Sequence, residues 1–202
     1  MLFPLLPTMS VEAATAAQER QANLTKPAGS LGRLETLSIQ LAAITANPRP
    51  QFHHKGVIVM AADHGVTAEG VSAYPSEVTQ QMVMNFLNGG AAVNVLARQA
   101  GAFVRIVDVG VKGDLPAHNH LIQCKVAAGT ANMALGAAMS LPQAEAAIQV
   151  GLDVVNQEID GGMDLVATGE MGIGNTTAAA ALTAFFTDNS PTRVIGRGTG
   201  IN

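Results

Sequence analysis

A doubly wound α/β fold, with a mainly parallel sheet covered by helices on both faces, is what this 202-residue sequence predicts. Three observations lead there. Short continuous apolar runs, such as residues 56–62, alternate with Ala-rich stretches of helical period, the pattern of buried parallel strands joined by crossover helices. Alanine supplies 34 positions and glycine 21, side chains small enough for elements to pack closely. Only 13% of the residues are charged while 48% are hydrophobic, against about 25% charged in an ordinary soluble domain.

The elements follow in order. Ser10 stands as N-cap of an Ala-rich helix over 11–24, stopped by the breaker cluster 26–30. Leu31, Leu34, Leu37, Ile39 and Leu41 give a second helix an apolar face, ending near Asn47 and Pro48. These two helices form a small N-terminal helical segment, 1–50, ahead of an α/β domain, 51–202. The first strand is 56–62. Pro75 opens a helix to Leu87 that Gly89 and Gly90 close, and a helix over 91–100 ends at Gly101. Residues 104–109 read as a strand and 122–126 as a shorter one. Ser140 and Gln143 form a capping box for a helix whose apolar positions are Ile148, Leu152, Val155 and Ile159. A strand over 164–168, a helix over 176–186 and a last strand at 194–195 complete four or five strands. The chain then ends in a Gly-rich loop, so a βα unit stands unfinished and the C-terminal part of the fold is expected to be missing, against the plainer reading of a frayed C-terminal tail.

Composition excludes several classes. A single Cys124 rules out a disulfide-stapled domain, and we read it as a small buried hydrophobe. A net charge of −4 and a pI near 5.7 oppose a nucleic-acid binder built on phosphate contacts. Six Phe, one Tyr and no Trp leave no stacking platform for single strands. Mean hydropathy is +0.27, yet no apolar run approaches the ~20 residues of a membrane span. The N-terminus lacks the basic start of a signal peptide. A cytoplasmic protein is expected.

Four places carry chemistry. The loop 168–177 follows an apolar strand and opens a helix, with Asn175 or Thr176 expected as N-cap. Gly169, Gly172 and Gly174 allow close backbone approach, and amides at a helix N-terminus favour a phosphate. Gly172, Gly174, Asn175, Thr176 and Thr177 are the candidate phosphate ligands, against the plainer reading of a tight capped turn. Glu170 is a carboxylate beside that anion site. Asp63 and His64 follow the first strand, where α/β active sites are built, although hydrogen bonds to the local backbone would explain them equally. With His53, His54, His118 and His120 the spacings match no zinc pattern, so no metal site is expected. Lys26 and Arg33 flank two glycines, and dipole and capping roles explain that segment best. Tyr74, Met82 and Phe86 could line a pocket for a flat apolar ligand or belong to the core.

Lys26–Glu35, the segments 62–66, 69–71 and 107–110, and the loop 169–177 together resemble, in order, the nicotinate-nucleotide–dimethylbenzimidazole phosphoribosyltransferases. That resemblance implies transfer of phosphoribose from nicotinate mononucleotide to 5,6-dimethylbenzimidazole, in the making of the cobalamin lower-ligand nucleotide. It implies the phosphate in the loop 169–177, the acceptor base along 72–86 at Tyr74, Met82 and Phe86, and Asp63 and His64 as the floor of the site. Glu170 falls on a family active-site carboxylate. It also implies a cytoplasmic homodimer without metal or redox cofactor. The family's general-base glutamate is expected beyond Asn202, so this chain alone is expected to have little or no transferase activity. A non-catalytic nucleotide-binding or dimerising remnant is the other reading, and a metal-dependent hydrolase using Asp63 and the histidines a distant third.

Overall fold

The computed structural model describes residues 5–196. The Gly-rich stretch 197–202, read as part of an unfinished βα unit, lies outside the described residues. The chain divides into two compact units, Met1–Phe52 and His53–Asn202.

In the first unit, α1 (Val11–Ala22) and α2 (Arg33–Thr45) form an antiparallel pair. The Ser10 hydroxyl accepts from the Ala13 amide at 3.1 Å, capping α1 as expected. Its own amide donates to the Ala43 carbonyl, at the C-terminal end of α2. The helices meet through alanines: Ala13 and Ala17 on one side, Ala42 and Ala43 on the other. The leucine face expected to pack α2 is open instead, with Leu34 64% exposed. Gly29 and Gly32 take positive φ, which keeps Leu31 in the preceding turn and delays the helix to Arg33. That turn is clasped by the Lys26–Glu35 ion pair at 2.7 Å.

The second unit is a four-stranded parallel sheet of β1 (Lys55–Ala62), β2 (Ala102–Gly110), β3 (Leu121–Gln123) and β4 (Leu165–Met171), in the order β3-β2-β1-β4. Helices α3 (Glu77–Leu87) and α4 (Ala92–Ala100) connect β1 to β2, and α5 (Leu141–Asp160) connects β3 to β4. From Gly56 to Ala62 the central strand β1 is apolar because both its faces are covered. Val59 and Ala61 join Ile106, Val83 and Leu87 beneath α3. Ile58 and Met60 join Val107 and Val154 beneath α5. Ser140 and Gln143 make the expected capping box, the Ser140 amide donating to Gln143 Oε1 at 2.8 Å.

After β4 come α6 (Asn175–Thr187) and the short turn α7 (Pro191–Val194). The strand expected at 194–195 is therefore not formed. Pro191 fixes a helical φ at the first position after Ser190, and the Ile195 amide closes the turn on the Pro191 carbonyl at 2.9 Å. Because β2 and β4 lie on opposite sides of β1, the strand order reverses between β1 and β4. Open α/β sheets bind ligands in the crevice at the carboxyl ends of such a pair.

Candidate active site

The crevice is built from what leaves β1 and what leaves β4. From β1, Asp63 emerges 2% exposed and ties three segments together. Its amide donates to Gly110 O, its carbonyl accepts from the Thr130 amide, and Oδ2 accepts from the Lys112 amide at 2.8 Å. That is the backbone-ordering role open to it in the sequence. His64 precedes a 3₁₀ turn, Gly65–Glu69, and its carbonyl accepts from Thr67 Oγ1 at 2.8 Å. The half-buried imidazole stands at the rim of the crevice. Burial holds it below its ordinary pKa range, against the opposing pull of the Glu170 and Asp63 carboxylates.

From β4, residues 172–174 cross the crevice and enter α6. A Cβ on Gly172 would overlap the Ala62 carbonyl oxygen and lie 2.8 Å from Nε2 of His64, so only glycine fits there. Gly174 has φ +86° and is the N-cap of α6. The cap is thus not Asn175 or Thr176 as expected: a left-handed turn is needed, and glycine adopts it without strain. The loop is pinned to α3 by the Ile173 amide, which donates to Thr79 Oγ1 at 3.0 Å. Thr79 is fully buried, and no sequence pattern singled it out. The Asn175 and Thr177 amides donate to the Gly172 and Gly174 carbonyls, tightening the turn. Asn175 Nδ2 donates to Glu170 Oε2, setting a carboxylate beside the positive end of α6.

Consecutive residues of a strand point to opposite faces, and this divides the site. Met171 packs on the α3 side with the core. There a cavity of about 370 Å³ is walled by Val71, Tyr74, Val78, Met82 and Ile173, with Asn175, Thr176 and Thr177 at its edge. Glu170 borders the other face, where a cavity of about 550 Å³ brings it together with His64, Asn175 and Thr176 against α5 and α6. The loop residues 172–177 therefore lie between two pockets. Tyr74 and Met82 belong to one and Glu170 to the other. Phe86 belongs to neither: it packs against the α3-side core.

The remaining candidates sit elsewhere. Lys26 is spent on Glu35, whose carboxyl it holds below the usual range. The His53 and His54 amides donate to Asp164 at the amino end of β1, at 2.7 and 3.0 Å, and depress that carboxyl too. Cys124 is half-buried against the α5-side core. Among the described residues no three His, Cys, Asp or Glu gather as metal ligands, and no helix is long and apolar enough to cross a membrane.

Fold and site define an α/β protein with a crevice at a topological switch point, crossed by a Gly-rich strand-to-helix loop. A family model described as Phosphoribosyltransferase matches residues 6–202, and the chain belongs to that family. A relative from Chloroflexus aggregans is 59% identical over 191 residues, covering 95% of this chain and 54% of its own length. One from Thermus thermophilus is 51% identical, covering 96% and 58%. Both are named nicotinate-nucleotide–dimethylbenzimidazole phosphoribosyltransferase. A crystal structure of that enzyme from Thermus thermophilus superposes with a TM-score of 0.90 at 50% identity, over 93% of this chain and 57% of the other. The chain spans about half the length of the curated relatives it matches.

Proposed function

We propose that this chain provides the nucleotide-phosphate and acceptor-base pockets of a transferase that moves phosphoribose from nicotinate mononucleotide to 5,6-dimethylbenzimidazole. The carrying observation is the loop 172–177, seated at the switch point with an apolar cavity directly beside it. In the reaction an acceptor imidazole nitrogen bonds to C1′ of the nucleotide and the bond from C1′ to the nicotinate nitrogen breaks. Configuration inverts, giving α-ribazole 5′-phosphate and nicotinate, and the acceptor nitrogen gives up its proton to a base. No oxidation state changes, and no cofactor is required.

The 5′-phosphate sits at the N-terminus of α6, where the dipole and the Thr176 and Thr177 hydroxyls favour it. The flat acceptor lies against Tyr74 and Met82. Glu170 is on the opposite face of β4, so it is not the base for the acceptor proton, which must lie within hydrogen-bond reach. Its place is by the ribose and phosphate, where Asn175 orients it. The base belongs to the part of the longer relatives that this chain does not span, and the chain alone has little transferase activity. We place the protein in the cytoplasm, and the complete enzyme is a homodimer.

Titration calorimetry with nicotinate mononucleotide tests the reading, comparing the wild type with Thr176→Ala/Thr177→Ala and with Gly172→Asp. Loss of charge-assisted contacts should weaken binding about tenfold or more. Equal affinity in all three proteins would sink the phosphate-loop assignment.

A further inference from the structure

His64 stands out because among the described residues no hydrogen bond reaches its side chain: its bonds to Thr67 run through the backbone carbonyl. The imidazole edge lies against Gly172, close enough for Nε2 to come within 2.8 Å of a Cβ built there. It borders the same 550 Å³ cavity as Glu170, Asn175 and Thr176. A half-buried ring beside Gly172, at the start of the loop, is placed to hydrogen-bond whatever settles on α6.

We propose that His64 is a proton-linked contact for the nucleotide's phosphate: it is neutral in the empty site and takes up a proton from solvent when the phosphate binds. This rests on the phosphate-loop reading above. The sign follows from its surroundings. Burial opposes the charged ring, and this outweighs the two carboxylates that favour it, Glu170 from β4 and Asp63 beside it. Asp63 is already engaged by the Lys112 amide. The walls from α5 and α6, which include Ala147, Ile148, Asn175 and Thr176, bring no titrating group. A bound phosphate adds negative charge at contact distance and raises the imidazole pKa by about one unit or more. Affinity therefore increases as pH falls from the bound-state to the free-state pKa of His64. Below about pH 6 the phosphate's own second ionisation reverses the trend.

Two measurements test this. Calorimetric titration with nicotinate mononucleotide at pH 7, in buffers of different ionisation enthalpy, counts the protons exchanged. The wild type should take up more protons than His64→Gln and His64→Asn, and both variants should bind about tenfold more weakly. In the wild type itself, the ring-nitrogen NMR titration of His64 should move to higher pH with inorganic phosphate and stay in place with nicotinate alone. Binding with equal proton counts in wild type and variants overturns the role of His64 and leaves the phosphate loop intact. A shift with nicotinate but not phosphate also overturns it. Absence of nucleotide binding to the wild type overturns the loop reading, and His64 with it.

Discussion

The two sides of β1 differ sharply. Toward β2 the sheet is closed: Ile106 and Val107 are at most 1% exposed, with α3 and α5 packed over them. Toward β4 it is bare. Leu165 and Val166 are 42% and 40% exposed, α6 buries no residue, and Phe185 and Phe186 are 79% and 77% exposed. From Ala178 to Phe186 α6 is apolar at every position but Thr183, the pattern of a covered helix. Yet the Gly-rich loop 172–174 belongs to this bare side. It is held in place by the β1–β4 ladder and by the Thr79 anchor on α3, the helix that also covers the closed side.

The largest effect should come from the closed side. Ile106→Ala leaves a cavity under α3 and should cost about 2–5 kcal/mol, read as a lowered midpoint in denaturant unfolding with an unchanged slope. A comparable loss from Leu182→Ala on α6 would erase the contrast. Next, Thr79→Val keeps the shape but leaves the Ile173 amide buried and unpaired, a cost of about 1–3 kcal/mol. Hydrogen exchange should accelerate at residues 172–176 more than in β2. Unchanged exchange there would show that the ladder alone holds the loop.

A smaller effect concerns pH. The His64 pKa is depressed in the folded chain, so the unfolded chain binds the extra proton first. Stability should be full above about pH 6.5 and decline as pH falls toward the folded-state pKa. His64→Gln should flatten that decline in thermal melts. Smallest of all, Phe185→Ser and Phe186→Ser should each change stability by no more than ~0.5 kcal/mol, while reducing binding of a hydrophobic dye. A large destabilisation would mean that α6 is packed more firmly than its exposure indicates.

Much of this contrast could be read from residue order. The unbroken apolar run of β1, the Ser10 and Ser140 caps and the glycines of 169–174 are local signals, and the strands, helices and strand-to-helix turn they mark are where they were expected. What failed were features decided by tertiary context. Gly174 displaced Asn175 as cap because the chain must turn left-handed at the crevice. Pro191 bent the expected last strand into a helical turn. Alternation alone separates Glu170 from Met171, but which of them meets Tyr74 and Met82 depends on which crossover covers which face. Thr79, a polar residue inside a helix, declares its role only when residue 173 arrives 94 positions later.

The central claim is that the loop 172–177, at the switch point between β1 and β4, holds the nucleotide phosphate. Amide chemical-shift mapping during titration with nicotinate mononucleotide tests it most directly. The largest, saturable shifts should fall on residues 172–177 and on His64, with β2 and β3 nearly silent. Shifts centred elsewhere, or none at saturating nucleotide, would contradict it.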